Sequence, residues 1–318
     1  MAHGEKRLAI VAVGGNALIS DKDHLAIPDQ YHQVTITVRH VIDMIVAGWE
    51  VIVTHGNGPQ MGFILRRSEL SLHEVAPVPM DYAGADIQGA VGYMFVKAFD
   101  NEFRRRGLAK KAVAVVTQTL VDPADPAFQK PTKPIGSHMD EATAKRLAKE
   151  QGWTVAEDAG RGWRRVVPSP RPKAIVERDV IAFLARAGYA VIAVGGGGVP
   201  VVADADGNLR GAEAVIDKDF ATALLAREIQ ADLLLISTGV ERVAINFNKP
   251  NQRWLDRITL SEAKRYYAED QFDRGSMGPK VQALVEFLEA GGKQGLITDP
   301  ANIGRALAGE SGTYLVSD

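Results

Sequence analysis

The segment LAIVAVGGN, at residues 8–16, sets a pattern that the rest of the chain repeats. Its first six residues are apolar and include β-branched side chains, which predicts a buried β-strand. The strand is expected to end at Gly14 and Gly15, where the absence of a Cβ atom lets the backbone approach an anion closely. In open parallel sheets, ligands lie in the crevice beyond the carboxyl ends of the strands. The segment therefore predicts both a sheet strand and one wall of a ligand site.

Short apolar segments alternate with longer segments of helical periodicity along most of the chain. Further strands are predicted near residues 50–54, 112–118, 190–194, 201–203, 233–236, 296–298 and 314–316. Helices are predicted near residues 30–47, 60–72, 81–106, 177–187, 218–230, 279–290 and 300–308. This alternation indicates an α/β fold with a mainly parallel sheet covered on both faces. The best boundary between two lobes falls near residues 210–216.

Residues 120–172 differ from the rest of the chain in composition and in the regularity of their apolar pattern. They are rich in proline, lysine and tryptophan, with one clear helical segment near residues 141–150. Long irregular insertions of this kind are often functional lids. The segment therefore predicts a flap that protrudes from the main sheet, although a structural excursion or a dimer arm fits the pattern equally well.

Composition excludes several functional classes. The chain has no cysteine, which removes disulfides, thiolate catalysis and cysteine-ligated metal sites. Its formal net charge is -2, so it lacks the excess positive charge that attracts nucleic acid or an anionic membrane. Neither is therefore an expected partner. The apolar run at residues 8–13 is too short to span a membrane and lacks the form of a secretory signal. A cytoplasmic location is expected by default.

Four glycine-rich turns stand where predicted elements begin or end. They lie at residues 14–16, 56–59, 195–198 and 275–278. Three of them follow predicted strands, and the fourth opens a predicted helix beside Lys280. The unpaired N–H groups and the positive dipole at the start of a helix favour a bound anion. The combination favours a phosphate site, whereas any one turn alone would more often be a plain connection.

The familiar catalytic and nucleotide-binding motifs are missing from this sequence. It contains no Gly-x-x-x-x-Gly-Lys-[Ser/Thr] motif, and the glycines at residues 195–198 do not complete Gly-x-Gly-x-x-Gly. A Gly-x-Ser-x-Gly elbow and a His-Glu-x-x-His helix are missing as well. His55, which follows a predicted strand, is interpreted as a structural residue.

Three lysines stand in contexts that could bring positive charge to a phosphoryl group. Lys133 is flanked by prolines on the predicted flap, Lys218 lies between two aspartates at a helix start, and Lys280 follows the last glycine turn. Phosphoryl transfer needs mainly two substrates in line and positive charge around the migrating group. Asp217 could orient lysines at its helix start. Each lysine taken alone is more often a solvated surface side chain.

A series of sequence blocks, in one order from Ala9 onward, resembles the carbamate kinases of the amino-acid kinase family. The blocks are GGNAL at residues 14–18, THGNGPQ at 54–60, QTLVD at 118–122, DPAF at 125–128, PTKPIG at 131–136, EDAGRGWRRVVPSP at 157–170, GGGG at 195–198, AVIDKD at 214–219 and GSMGPKV at 275–281. So many blocks in a fixed order are far more specific than a single glycine turn.

The resemblance implies an activity and an architecture. The reaction is reversible phosphoryl transfer between ATP and carbamate, giving ADP and carbamoyl phosphate, with Mg²⁺, and cells often run it toward ATP. The fold is a three-layer α/β sandwich with a mainly parallel central sheet. Residues 1–213 would form a carbamate lobe with a protruding subdomain at about 120–172, and residues 214–318 a nucleotide lobe. A homodimer is also implied.

The resemblance further assigns roles to residues at matching positions. Lys133, Lys218 and Lys280 would surround the phosphates, and Asp217 would position lysines. The predicted phosphate-binding residues are Gly14, Gly15, Asn16, Gly196 and Gly197; those for carbamate are Gly56, Asn57 and Gly58; those for the nucleotide are Ser237, Val240, Ala244, Gly275, Met277 and Gly278.

Two positions depart from the family's pattern. Residues 137–139 are Ser-His-Met where many relatives carry proline and aromatic residues, and Ala244 stands where relatives often place tyrosine. The first concerns the packing of the flap, and the second concerns nucleotide affinity or base preference.

Two other functions fit the same sequence pattern, because the fold and its phosphate-binding residues do not determine which acceptor is phosphorylated. They are an acyl-phosphate kinase for another small carboxylate and a non-catalytic nucleotide-binding sensor.

Overall fold

The computed structural model of the chain describes residues 6–15, 18–19, 23–158, 160 and 162–318. Its strands are β1 (Arg7–Val13), β2 (Trp49–His55), β3 (Ala112–Ala114), β4 (Gln118–Val121), β5 (Lys133–Met139), β6 (Thr154–Glu157), β7 (Trp163–Val167), β8 (Pro172–Ile175), β9 (Ala190–Ile192), β10 (Val199–Ala203), β11 (Leu209–Gly211), β12 (Leu233–Ser237), β13 (Val243–Ile245), β14 (Arg253–Leu255), β15 (Arg257–Thr259), β16 (Gln294–Thr298) and β17 (Thr313–Val316). Its helices are α1 (Ile27–Val46), α2 (Gly58–Leu70), α3 (Met80–Arg105), α4 (Glu141–Gln151), α5 (Arg178–Arg186), α6 (Lys218–Glu228), α7 (Leu260–Ala268), α8 (Met277–Glu289) and α9 (Ile303–Leu307). Among these described helices, none is long and apolar enough to cross a membrane.

An eight-stranded sheet forms the centre of the molecule, with the strand order β15-β17-β16-β12-β1-β2-β9-β3. Strand β1 pairs in parallel with β2 on one side and β12 on the other, and β16 and β9 continue the parallel arrangement. Only the pairing of β16 with β17 is antiparallel within this described sheet. The prediction of a mainly parallel sheet is confirmed. Strand β2 lies on one side of β1 and β12 lies on the other, so the connections that follow these strands diverge. A crevice therefore opens at the carboxyl ends of β1 and its neighbours.

Helices cover both faces of this sheet, which gives three layers. The side chains of β1 alternate between the two faces, as the strand periodicity of two requires. Ala9, Val11 and Val13 pack into the core under α1, α2, α3 and α9. Ile10 and Ala12 pack into the core under α5, α6, α7 and α8. Every residue of β1 after Arg7 is buried, which explains why its sequence is a continuous apolar run.

The strand predicted at residues 112–118 is wrong as a single element. Residues 112–114 form β3 at the edge of the central sheet, whereas residues 118–121 form β4 in a second sheet of order β11-β10-β4-β8. The side chain of Gln88 separates them, since it accepts a hydrogen bond from the N–H of Thr117 at 2.7 Å and donates one to its carbonyl at 3.0 Å. A buried side chain has therefore replaced the strand pairing at that residue.

A third sheet, of order β5-β7-β6, combines with α4 to form a small unit at residues 133–167. It corresponds to the middle of the flap predicted at about 120–172, whose ends belong to β4 and β8. Strand β5 packs on α2 at a pair of glycines. A Cβ atom built on Gly62 would lie only 2.3 Å from the Cα of Gly136, which itself has φ of +71°. The flap therefore contacts the main body where Gly62 has no room for a side chain and Gly136 has a backbone conformation that favours glycine.

We expect Gly62→Ala to weaken this contact, because a methyl group there must push the two backbones apart, at a cost of roughly 1–3 kcal/mol. Urea unfolding would measure the free energy of unfolding, and hydrogen exchange would report opening of β5. Gly304→Ala is the matched control, since a Cβ atom there meets open space. The control should be neutral or gain up to about 1 kcal/mol. Equal stability of the two variants would contradict the glycine contact.

Candidate functional site

A cavity of about 120 Å³ lies at the carboxyl ends of β1, β12 and β16. Its wall is formed by the turns after these strands and by two lysine side chains. The lining residues are Gly14, Gly15, Lys218, Ser237, Thr238, Gly239, Lys280 and Pro300. This is the crevice that the strand order predicts. It brings together the first glycine turn and two of the three predicted lysines.

The turns after β1 and β2 meet beside Lys218. The N–H of Gly14 donates to the carbonyl of Ser237 at 3.0 Å and is thus already bonded. The N–H of Gly15 has no hydrogen-bond partner among the residues that the structure describes. A Cβ atom on Gly56 would lie 3.6 Å from Cδ of Lys218 and 4.0 Å from the nitrogen of Gly15. Asn16 was predicted to bind phosphate, but it lies outside the described residues.

Three lysines and two aspartates form two ion-paired groups at the start of α6, joined by a hydrogen bond from the backbone of Asp219 to Asp217. Asp219 is buried and accepts from Nζ of Lys218 at 2.6 Å and from Nζ of Lys280 at 2.9 Å. Asp217 caps the helix by accepting from the N–H of Asp219 at 2.9 Å. Its second oxygen accepts from Nζ of Lys133 at 2.6 Å. The flap lysine therefore reaches the same helix start as the other two.

The charges in this cluster are strongly coupled. Burial lowers the pKa of Lys218, while Asp219 raises it and Lys280 lowers it further. Burial also opposes ionisation of Asp219, but the two ammonium groups outweigh this effect and hold its pKa well below the usual range. Asp219 is therefore ionised and fixes two ammonium groups side by side. Such an arrangement can bind an anion that carries several oxygens.

Asp219 was not among the residues predicted for the site. The sequence does carry a signal for it: Asp219 follows Lys218 directly in the tripeptide at residues 217–219, just as Asp217 precedes it.

Two threonines hold this helix start against β2. The hydroxyl of Thr222 donates to the carbonyl of Lys218 at 2.6 Å and lies 2.7 Å from the hydroxyl of Thr54. The position of Lys218 is thus tied to the strand that leads into the second glycine turn.

The glycines at residues 195–198 are buried and pack closely against other parts of the site. A Cβ atom on Gly196 would lie 2.1 Å from Nδ2 of Asn57, and one on Gly197 would lie 2.7 Å from the carbonyl of Ile216. Both glycines have positive φ, at 66° and 90°. They therefore join the turn after β2, which includes Gly56 and Gly58, to the segment just before Asp217. Their predicted role in phosphate binding stays a prediction.

The predicted nucleotide residues fall into two groups. Ser237 lines the cavity and Val240 lies in the loop that follows it, whereas Ala244 is buried in β13 opposite Trp254. The second group begins α8, where Asp273 accepts hydrogen bonds from the N–H groups of Gly275 and Gly278. Met277 is the first residue of that helix. From this region the described wall of the cavity includes Lys280, but not Gly275, Met277 or Gly278.

Two buried hydroxyls lie at or beside the cavity wall: Ser237 is one of its lining residues, and Thr298 is the register neighbour of Ser237. The hydroxyls of Ser237 and Thr298 are register neighbours on β12 and β16, and both are buried. Neither has a hydrogen-bond partner among the described residues. Buried hydroxyls are normally hydrogen-bonded, so this part of the site has unused hydrogen-bonding capacity.

His55 is fully enclosed at the end of β2. Its Nδ1 lies 2.9 Å from the carbonyl of Gly56, and its ring stacks on Phe95 at a centroid distance of 6.0 Å. Burial lowers the pKa of His55 to about 4, the hydrogen bond to Gly56 opposes this shift, and Lys218 adds to it. The ring is therefore neutral near pH 7, and Nδ1–H donates to the Gly56 carbonyl.

The fold and the lysine cluster together define a phosphate-handling α/β protein, and the comparisons name its family. The family model described as "Amino acid kinase family" matches residues 7–299, and the chain belongs to this family. It is 49% identical over 312 residues to a carbamate kinase of Thermococcus kodakarensis, covering 97% of this chain and 99% of the relative. It is 47% identical over 314 residues to the carbamate kinase-like protein YahI of Escherichia coli, covering 98% and 99%.

A solved structure supports the same relationship. Carbamate kinase from Giardia lamblia bound to AMP-PNP superposes with a TM-score of 0.92 at 41% sequence identity, with 100% of both chains covered. The resemblance stated from the sequence blocks is confirmed, and so is the amino-acid kinase fold.

The neutral state of His55 predicts a specific dependence of stability on pH. The unfolded chain protonates this residue near pH 6.5, but the folded protein does so only near pH 4. The unfolded state therefore binds more protons between these values, and the free energy of unfolding falls as the pH drops through that window. Above about pH 7 the group has no further effect.

Urea unfolding of the native protein and of His55→Gln would measure the contribution of His55 to the free energy of unfolding at each pH. Between about pH 7.5 and pH 5 we expect the native protein to lose roughly 2 kcal/mol more than the variant. Equal losses in the two proteins would contradict the buried neutral imidazole.

Proposed function

We propose that this chain is a carbamate kinase, which transfers a phosphoryl group reversibly between ATP and carbamate to give ADP and carbamoyl phosphate. The observation that carries the proposal is the pair of ammonium groups, on Lys218 and Lys280, that Asp219 holds beside the glycine turn after β1. The high identity to carbamate kinases over nearly the whole chain supports the choice of acceptor.

The proposed mechanism uses position and charge, without a covalent intermediate on the protein. The carboxylate oxygen of carbamate attacks the γ-phosphorus, the bond to the β–γ bridging oxygen breaks, and ADP leaves with that oxygen. Negative charge on the migrating group would face the ammonium groups of Lys218 and Lys280 and the N–H of Gly15. Preorganised cations and N–H donors stabilise such charge without having to rearrange during the reaction. Lys133 would approach from the flap.

The two substrates would enter from opposite sides of β1. Carbamate would bind at Gly56, Asn57 and Gly58, where α2 begins without a side-chain cap and the start of the helix favours a small anion. The nucleotide would bind near Ser237, whose buried hydroxyl lacks a partner in the described structure. Residues 1–213 and 214–318 would then serve as carbamate and nucleotide lobes that share one sheet.

We propose Mg²⁺ as the cofactor, carried to the site by the nucleotide. The described residues contain no group of three histidine, aspartate or glutamate side chains that could hold a metal. Asp217 and Asp219 are both bonded to lysines. Mg²⁺ commonly binds through substrate phosphates with few protein ligands, which fits such a site. When bound, it would neutralise charge on the phosphate oxygens.

A homodimer and a cytoplasmic location remain part of the proposal. A surface suited to self-association lies on α3, whose Tyr82 and Tyr93 are 65% and 63% exposed. It adjoins β3, the last strand at one end of the central sheet. Exposed aromatic residues next to an open sheet edge favour a protein contact.

The proposed activity predicts rapid ATP formation from MgADP and carbamoyl phosphate. Removing one ammonium group in Lys280→Ala should lower turnover by about 10²–10³, comparable to losing one oxyanion donor. Lys133→Ala should also lower turnover. Near-native turnover in both folded variants would overturn the mechanism.

Acceptor specificity needs a separate assay, in which carbamate, acetate and amino-acid acceptors are compared with MgATP. Preference for carbamate supports the proposal. Preference for another carboxylate would indicate a different acyl-phosphate kinase, and ADP binding without any transfer would indicate a sensor.

If Asp219 aligns the two lysines, its loss should lower turnover more than the loss of Asp232, another aspartate that is paired with a lysine. Asp219→Asn keeps the side-chain volume but removes the charge that aligns two lysines, so turnover should fall by about tenfold or more. Asp232→Asn is the matched control, because Asp232, like Asp219, accepts from a lysine, but it lies at the amino ends of the strands. Its turnover should stay close to native. Similar losses in both variants would point to general destabilisation.

A further inference from the structure

A second cavity, of about 470 Å³, lies between α2 and the flap formed by β5, β6, β7 and α4. Its floor and sides are mostly apolar, with Phe63 and Leu65 from α2 and Met139, Leu147 and Trp153 from the flap. This volume lies within the range of pockets that bind small organic molecules. The catalytic lysines and the glycine turn after β1 do not line it, so it is separate from the site described above.

The rim of this cavity is strongly cationic. Four arginines line it, together with one glutamate, Glu69. Arg66 is paired with Glu69 at 3.3 Å, and Arg146 with Glu150 at 2.6 Å. Arg165 has no carboxylate within ion-pair distance in the part of the chain that the structure describes. The cavity therefore offers uncompensated positive charge next to apolar surface.

Arg165 is also held in a fixed orientation. Its guanidinium carbon lies over the Trp153 ring, 4.9 Å from the ring centre, which is a cation–π contact. Burial lowers the pKa of Arg165, and Glu69 and Glu213 only partly offset this effect. Guanidinium groups stay protonated in proteins, so this one is a desolvated cation to which no anion among the described residues is hydrogen-bonded.

We propose that this cavity binds a small organic carboxylate with a flat apolar body, whose carboxylate contacts Arg165 and whose body packs between Phe63 and Leu147. The charge on the rim selects an anion, and the apolar floor selects a molecule larger than carbamate or acetate. A guanidinium presents paired N–H donors that match a carboxylate. A neutral apolar ligand would leave Arg165 without a partner.

The position of this cavity couples the ligand to the flap. One wall belongs to α2, which starts at the proposed carbamate turn, and the other belongs to the unit that carries Lys133. A ligand that contacts both walls adds to the contact between Gly62 and Gly136 and holds the flap against α2. The ligand is thus a modulator of flap opening.

Binding would be measured by titration calorimetry on the full chain, with indole-3-acetate as the probe. Indole-3-acetamide lacks the charge and acetate lacks the apolar body, so both should bind at least about tenfold more weakly. Saturating ADP and carbamoyl phosphate should not displace the probe. Hydrogen exchange in β5 and β7 should slow when the probe is bound. The binding assay does not depend on turnover, so it stands even if the proposed activity fails.

Two variants test the position of the probe. Arg165→Gln removes the cation, and Leu147→Trp fills the cavity, and each should weaken binding by at least about tenfold. Arg7→Gln is the matched control, because Arg7 also stacks on a tryptophan, Trp49, but elsewhere on the surface. Absence of saturable binding at millimolar probe would overturn the proposal. Displacement by carbamoyl phosphate, with unchanged affinity in Arg165→Gln, would also overturn it by placing the probe in the catalytic site.

Discussion

The carboxylate of Asp219 is the constraint on which the site depends. It is buried and contacts ammonium groups from two helices, α6 and α8. A buried carboxylate without any cationic partner is very unfavourable, so the contacts with Lys218 and Lys280 stabilise the ionised Asp219 within the fold. The same contacts therefore fix how the two helices meet and where two positive charges point. With Lys133 and Asp217 included, the cluster carries more positive than negative charge, which a phosphoryl group would balance.

The central sheet explains why parts of the chain that are far apart in sequence meet at this cluster. Strand β1 lies between β2 and β12, so its glycine turn contacts segments from both halves of the chain. The hydroxyls of Thr54 and Thr222 then join β2 to α6 across the buried layer. Parallel strands place their carboxyl ends at one edge, and side chains positioned by such a rigid scaffold keep their geometry when substrate arrives.

The sequence predicts features that depend on local pattern, and it misses features that depend on distant partners. The apolar run of β1 and the glycine turns have local signatures, and the structure contains each of them. The break at Thr117 depends on Gln88, which is 29 positions earlier. The pairing of Lys280 with Asp219, which is 61 positions earlier, is likewise set by packing. No periodicity in the sequence reports such contacts.

The flap illustrates how a weak ion pair can be useful. Lys133 and Asp217 are in contact, but their side chains are 30% and 23% exposed, so solvent screens the pair and its contribution to stability is small. The glycine contact between Gly62 and Gly136 is sterically strict, because a Cβ atom on Gly62 has no room, and it is the stronger candidate for holding the flap in place. Transfer of Lys133 from Asp217 to a phosphoryl oxygen would therefore cost little. Because Asp217 also caps α6, the helix start would stay formed when the lysine leaves.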